Sequence, residues 1–369
     1  MADSTACVRY GIIMAGGSGE RFWPVSRKNR PKQLLRLTSA TQSMIEESVA
    51  RLAPLIPPQR IYVVTGEHLV QPIRDARIGI DDINIIAEPC KRNTAGCLLY
   101  AAAHLLAATG SEPGRMSMAV VTADHQIGEP DLFRGSVAAA LDSAEKDGLL
   151  VTHGIVPSRP DAGYGYIQSA GGGTVTKGMT IFPVAAFHEK PDLSTAQGYL
   201  EQGGFFWNSG MFFWRVDTLL DEMAKAQPTM TQCTLDMVAA MKRGDAAGVR
   251  TLFESLPDLS IDYALMEKTK RAAVLRAEYP WDDVGAWPSL DRTREPDAHG
   301  NVVHGSPILV DCDNCIVYND GGAVAVGVVG MKDVVVVVSG DGVLVLPKDR
   351  AQDVRAIVAE LKARNAPQL

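Results

Sequence analysis

The sequence predicts an α/β fold: a mostly parallel sheet with helices on both faces, joined to a small β-rich unit at the C-terminal end. Three observations lead there. From Gly11 to about Leu290, short apolar strands alternate with segments of helical period, the pattern of strand–helix–strand crossovers. After about Glu295 that alternation stops, and valine-rich stretches follow one another between Gly, Asp and Asn turns. The first strand, Gly11-Ile12-Ile13-Met14, breaks directly into Ala15-Gly16-Gly17-Ser18-Gly19, and open α/β sheets collect ligands at the carboxyl ends of their strands.

The elements follow in order. Ser43 with Glu46 three residues on has the spacing of a capping box and opens a helix. Arg60 to Thr65 and Ile83 to Ala87 read as buried strands. Asn93-Thr94 begins a helix whose apolar positions, Ala95, Leu98, Leu99, Ala102, Leu105 and Leu106, have a helical period. Met116 to Val121 is a strand that ends in Thr122-Ala123-Asp124-His125. Val216 to Lys242 reads as helices, and Ser260 caps another. Beyond Glu295 come strands at 308–310, 316–318, 324–329, 334–338 and 343–346, with Ser339-Gly340-Asp341-Gly342 as a hairpin turn and a last helix from about Ala351 to Ala363. The expected division is 1–294 and 295–369.

Composition narrows the function classes. The chain has 369 residues, is 46% hydrophobic and carries a net charge of −7, which argues against nucleic acid as a general partner. No run is long enough to span a bilayer, and the N-terminus lacks the apolar core of a signal peptide, so a cytoplasmic protein is expected. Six cysteines do not make a disulfide framework. Cys312 and Cys315 form a C-x-x-C with no second pair, so free thiols are expected.

Against that acidic background, the charged residues from Glu20 to Arg36 are six basic and one acidic, a local +5. A glycine turn lets backbone N–H groups approach an anion, because no Cβ intervenes and positive φ is tolerated. Arg21 adds a planar fork and Lys32 a point charge, so the stretch reads as a polyphosphate site. It lacks the Gly-Lys-Ser/Thr ending of a P-loop and the third glycine of the dinucleotide fingerprint.

The string GGSGERFWPVSRKNRPKQ resembles the signature loop of the sugar-nucleotide pyrophosphorylases, in the form found in mannose-1-phosphate guanylyltransferases. The resemblance covers nearly all of residues 10 to 290 and implies a Rossmann-like nucleotide-diphospho-sugar transferase fold. It implies that Ala15, Gly16, Gly17, Ser18 and Gly19 bind nucleotide, with Arg21 and Lys32 catalytic. Asp124, in an Ala-Asp-His motif, and Asp283, in Asp-Val-Gly, would hold Mg²⁺, which suits few carboxylates plus phosphate oxygens. Glu88, with Asn93 and Thr94, matches the base-recognition segment; a carboxylate suits the N1 and N2 donors of guanine. Asn93 and Thr94 also have the character of helix caps. Gly163 in Gly-Tyr-Gly, Glu189 and Lys190 in His-Glu-Lys-Pro, and Asn208 match sugar-phosphate positions. Asp262 is structural or sugar-side, and only one of Asp282 and Asp283 should face the site.

The implied reaction joins GTP and mannose 1-phosphate to give GDP-mannose and pyrophosphate. Two alternatives remain open: the same chemistry on another sugar 1-phosphate, such as a manno-heptose, or another nucleotide; and a non-catalytic nucleotide-sugar-binding regulatory subunit. The resemblance further implies that the C-terminal unit is a short left-handed β-helix-like element that assists contacts in a homodimer. Nothing resembles the isomerase domain of longer relatives, so a single activity is expected.

Overall fold

A computed structural model describes residues 7–369. Residues 1–6, most of the stretch expected to lack a signal peptide, lie outside the described residues. Strands β1 (Val8–Met14), β2 (Ile61–Gly66), β3 (Ile85–Glu88) and β4 (Met116–Thr122) lie parallel in the order β3-β2-β1-β4. Helices α1 (Met44–Leu52), α2 (Glu67–Ala76) and α3 (Asn93–Thr109) connect them. The capping box is formed, with Ser43 N donating 2.7 Å to Glu46 Oε2.

The chain continues through β5 (Gln126–Ile127), α4 (Pro130–Asp147), β6 (Leu150–Ile155), β7 (Tyr166–Ser169), β8 (Thr174–Thr176), β9 (Met179–His188), α5 (Leu193–Gln202) and β10 (Phe205–Arg215). Next come α6 (Val216–Ala226), α7 (Pro228–Lys242), α8 (Ala246–Ser255), a π-helical turn (Asp262–Met266), β11 (Ala272–Ala277) and β12 (Trp281–Asp282). The sheet extends from β4 as β10-β6-β11-β9-β7, with β8 on β9. In this half only β6 and β11 pair in parallel. The expected parallel order therefore holds for the first four strands and gives way to a mixed sheet, because β7, β8 and β9 are joined by turns too short for a crossover helix.

Adjacent residues on each central strand point to opposite faces. Ile12, Val64, Val120 and Phe212 pack with Leu98, Leu219, Met237 and Phe253 of α3, α6, α7 and α8. Ile13, Val63, Val121 and Phe213 pack with Ile45, Leu69, Leu141 and Ala196 of α1, α2, α4 and α5. The six aromatics of β10 are all buried and belong to these cores and a small satellite.

After α9 (Leu290–Thr293) the chain forms β13 (Val302–His304), β14 (Ile308–Val310), β15 (Ile316–Asn319), β16 (Gly327–Val329), β17 (Val334–Ser339) and β18 (Gly342–Pro347). β13, β15 and β17 stack in parallel, Val302 on Ile316 on Val335, while β14 stacks on β16. Two parallel ladders built from successive coils make a β-helix-like unit. The β17–β18 hairpin pairs Ser339 with Gly342, at the turn the sequence signals. Both thiols of the C-x-x-C are free and donate to backbone carbonyls within the coils, Cys312 to Val310 and Val328, Cys315 to Asp313 and Met331. The last helix, α10 (Val354–Ala363), follows a 3-10 segment at Lys348–Asp353.

A further core joins the β unit to the segment after the glycine turn. Phe22, Trp23, Val25 and Leu37 pack with Val284, Trp287, Tyr318 and Val358. Trp287 is fully buried, with Phe22 5.1 Å away and Tyr318 5.3 Å away between ring centroids. Truncation to alanine removes the ring that both sides share. Trp287→Ala is expected to lose about 3–5 kcal/mol of unfolding free energy in a urea titration; a loss below about 1 kcal/mol would show that this core is not a working junction.

Candidate active site

The glycine turn leaves β1 at its carboxyl end. Ala15 is buried and pinned there, accepting from Thr65 Oγ1 at 2.8 Å and from Gln33 Nε2 at 2.9 Å. Gly16, Gly17 and Ser18 are exposed, and among the described residues no acceptor takes their backbone N–H groups. Of the turn glycines, Gly19 alone adopts positive φ, at 61°. A Cβ there would lie 2.5 Å from Lys32 Cβ, so glycine is what lets the turn close over Lys32. Gly16 and Gly17 do not adopt positive φ.

Lys32 is 5% exposed. Its Nζ donates 2.9 Å to Asp124 Oδ2 and 2.7 Å to the backbone carbonyl of Asp283. A buried ammonium needs such partners, and both come from strand ends remote in sequence. Burial works against ionisation of Asp124, but the charges of Lys32 and His125 and the Lys32 hydrogen bond outweigh it and hold the pKa below the usual carboxylate value. A Cβ at Gly17 would sit 3.9 Å from Asp124 Oδ2, so this acid borders the turn.

Asp283 Oδ1 accepts 2.8 Å from the hydroxyl of Tyr164. Burial, then the charge of Asp283, push the Tyr164 pKa up, so the phenol stays a neutral donor. Asp283 Oδ2 and Arg21 Nη1 approach the same point, 2.8 Å and 3.4 Å from where a Cβ at Gly285 would be. Asp282 turns away and pairs with Arg292 Nε at 2.6 Å, as alternation along an extended segment requires. Between Asp283 and Gly285, Val284 is held at φ 46°, a strained angle for a β-branched residue.

Asp124 and Asp283 thus flank one lysine, and each keeps a carboxylate oxygen that no side-chain donor takes among the described residues. Among the described residues no cluster of three or more His, Cys, Asp or Glu could hold a metal. Two carboxylates suit an ion that completes its shell with phosphate oxygens and water.

Glu88 ends β3, and a Cβ at Gly16 would lie 3.9 Å from its Oε2. Burial without a compensating partner raises its pKa to about 7. Neither Asn93 nor Thr94 places a side-chain cap on α3: Asn93 Oδ1 accepts from the adjacent Thr94 N at 2.9 Å, and the Thr94 hydroxyl accepts from Ile261 N at 2.8 Å, 167 residues away. Neither hydrogen-bonds Glu88.

A second cluster forms where β7, β9 and β10 meet. A bulge in β10, with Gly210 at φ 67°, aims Asn208 outward. Asn208 Nδ2 donates 2.8 Å to Asp262 Oδ1, and a Cβ at Gly165 would come 2.8 Å from Glu189 Oε2. Burial raises the Asp262 pKa against the Asn208 hydrogen bond, and the Glu189 charge adds to the rise. Lys190 pairs with Glu189 at 2.6 Å, and Gly163 N donates 2.9 Å to Asp161 Oδ1. Lys190 and Gly163 line a cavity of about 710 Å³ together with Arg21, Tyr164 and Asp283.

The structure therefore gathers Arg21, Lys32, Asp124 and Asp283 in one place and sets Glu88 beside the turn. The sequence assigns Gln33 and Tyr164 no role of their own, and reads Gly165 only as the second glycine of Gly-Tyr-Gly. Gln33 was within reach, since it completes Pro-Lys-Gln; Tyr164 and Gly165 stand in the Gly-Tyr-Gly motif, but their partners come from distant segments.

Comparison with known proteins adds the following. Residues 10–298 match the nucleotidyl transferase family, and residues 305–361 match a MannoseP isomerase/GMP-like beta-helix domain. The xanthan biosynthesis protein XanB of Xanthomonas campestris pv. campestris is 41% identical over 358 residues, 95% of this chain and 73% of the relative. A mannose-1-phosphate guanylyltransferase of Escherichia coli is 38% identical over 360 residues, again 73% of its length. A crystal structure described as mannose-1-phosphate geranyltransferase from Thermus thermophilus superposes with a TM-score of 0.82 at 34% identity, covering 96% of this chain and 99% of that one.

Proposed function

Because the chain belongs to the nucleotidyl transferase family, we propose that it forms GDP-mannose and pyrophosphate from GTP and mannose 1-phosphate. What carries this is the meeting of Lys32, Asp124 and Asp283 beside a turn whose N–H groups are free for an anion. Residues 1–294 are the transferase unit and 295–369 the β-rich unit. Among the described residues no helix is long and apolar enough to cross a membrane. The protein works in the cytoplasm as a homodimer, a state supported by Ile308, Val310 and Val329, exposed side by side on β14 and β16.

An oxygen of the sugar phosphate attacks the α-phosphorus of GTP. The bond from that phosphorus to the pyrophosphate oxygen breaks, and pyrophosphate leaves with the electron pair. Catalysis of this step is positioning and charge neutralisation, with no covalent enzyme intermediate. The N–H groups of residues 16 to 19 and the Arg21 guanidinium hold the triphosphate, and Lys32 fixes the two acids that border it. Asp124 and Asp283 suit Mg²⁺, which when bound neutralises charge on the phosphoryl oxygens. Glu88 accepts from guanine N1–H and N2–H, with Asn93 and Thr94 shaping the wall beside it. Glu189 and Asn208 read the hexose hydroxyls, Gly163 lets backbone approach the ring, and Lys190 meets the sugar phosphate.

The direct test follows pyrophosphate release with GTP, mannose 1-phosphate and Mg²⁺, beside ATP, UTP and a manno-heptose 1-phosphate. Turnover is expected with GTP and mannose 1-phosphate, and Arg21→Ala should lower it about 10²–10³-fold. A preference for another pair, or Arg21→Ala within about tenfold of the parent, overturns the assignment. Base reading has its own pH signature. Glu88 must be ionised to accept from guanine, and its pKa is about 7. Affinity for GDP-mannose, whose phosphates do not titrate in this range, should weaken as pH falls from about 8 to about 6 and level off above that window. Calorimetry of Glu88→Gln should show weaker binding with that slope gone; an unchanged slope would remove Glu88 from the base site.

A further inference from the structure

The cavity that holds Arg21 is closed on one side by the C-terminal unit, through Lys348, Gln352 and Arg355. Six of its lining residues are basic. Four of these are neutralised by carboxylates: Arg159 by Asp161 at 2.8 Å, Lys190 by Glu189 at 2.6 Å, Arg292 by Asp282 at 2.6 Å and Lys348 by Asp291 at 2.8 Å. Arg21 and Arg355 form no ion pair among the described residues. Arg21 has one side-chain hydrogen bond, from Nη1 to Gln352 Oε1 at 3.5 Å, which ties it to the turn just before α10. Arg355 stands in the first turn of α10 and makes no side-chain hydrogen bond among the described residues.

Two guanidinium groups that line one cavity with no carboxylate paired to either are an unfavourable arrangement unless an anion comes between them. Their proximity is felt at Arg21, whose pKa is lowered by burial and then by the Arg355 charge. Nothing in the fold requires Arg355 to be there: it is exposed and anchors nothing. The helix that carries Arg355 is fixed all the same, because Val354 and Val358 place α10 in the core that also contains Phe22 and Trp23.

We propose that Arg21 and Arg355 together grip the departing pyrophosphate, so that the C-terminal unit supplies a substrate-contacting residue to the transferase site. The identity of the anion rests on the reading given under Proposed function. Attack in line with departure puts the leaving group on the side of the α-phosphorus away from the sugar phosphate. Lys190 belongs with Glu189, Gly165 and Asn208, the sugar-reading cluster. Arg21 belongs with the glycine turn and Arg355, which leaves this pair for the β- and γ-phosphates. Each guanidinium can take two phosphoryl oxygens, a match that lysine reproduces only in part.

The test uses the full chain with Arg355→Ala and Arg355→Lys, assayed in both directions. In pyrophosphorolysis of GDP-mannose, Arg355→Ala should raise the KM for pyrophosphate about 10- to 100-fold, the scale of a hydrogen bond to a charged group. The KM for mannose 1-phosphate in the forward direction should stay within about twofold, and Arg355→Lys should recover part of the loss. Calorimetric titration with inorganic pyrophosphate and Mg²⁺ should show the same weakening without turnover. An unchanged KM for pyrophosphate, or a rise in the KM for the sugar phosphate instead, overturns the proposal. Should the parent protein fail to make GDP-mannose, the reaction assigned above falls, while the pyrophosphate titration of parent and Arg355→Ala still decides whether Arg355 holds that anion.

Discussion

A buried ammonium is the constraint on which the site depends. Lys32 lies almost out of solvent, and its hydrogen bonds reach Asp124, 92 residues along the chain, and Asp283, 251 residues along. A lysine in that position is stable only while those acceptors stay in reach. The lysine therefore fixes where the end of β4 and the segment after β12 sit relative to the glycine turn. Gly19 makes the arrangement possible, since any side chain there would collide with Lys32. Geometry that a phosphate ligand needs is thus set before the ligand arrives, which is how electrostatic preorganisation works.

The segment after the turn has two faces, and they do different jobs. Its polar residues, Arg21 and Lys32, face the acids. Its apolar residues, Phe22, Trp23 and Val25, form one core with Val284, Trp287 and the β unit. The tail adds to this: Trp23 Nε1 donates 2.9 Å to the carbonyl of Gln368, and Lys362 pairs with Glu20 at 2.5 Å. The β unit is packed onto the segment after the glycine turn, so one core is drawn from both ends of the chain.

Backbone strain marks the same places. Asn93, Lys190 and Val284 all hold positive φ, at 57°, 42° and 46°. Each is, or adjoins, a residue assigned to base, sugar phosphate or metal. Such angles persist only where the surroundings over-determine them. For Val284 the surroundings are explicit: its side chain is fully buried, and its N–H is held by Asp282 Oδ1 at 2.8 Å.

Local patterning was enough to locate the strands and helices around the first four parallel strands, the capping box at Ser43, the hairpin at 339–342 and the switch to β structure after Glu295. These follow from periodicity and turn chemistry, which act over a few residues. The glycine turn, Arg21, Lys32, Asp124 and Asp283 were legible too, each in a short motif at a strand end. What the sequence could not carry was who faces whom. That Lys32 joins Asp124 to the Asp283 backbone, that Tyr164 donates to Asp283, that Thr94 spends its hydroxyl on Ile261, and that Arg355 lines the same cavity as Arg21 are juxtapositions of segments far apart in the chain. The mixed second half of the sheet belongs with them, because strand order beyond β4 is decided by which hydrophobic faces find each other. Short-range stereochemistry writes elements into a sequence; only the packed core decides which charges are brought together and left without a partner.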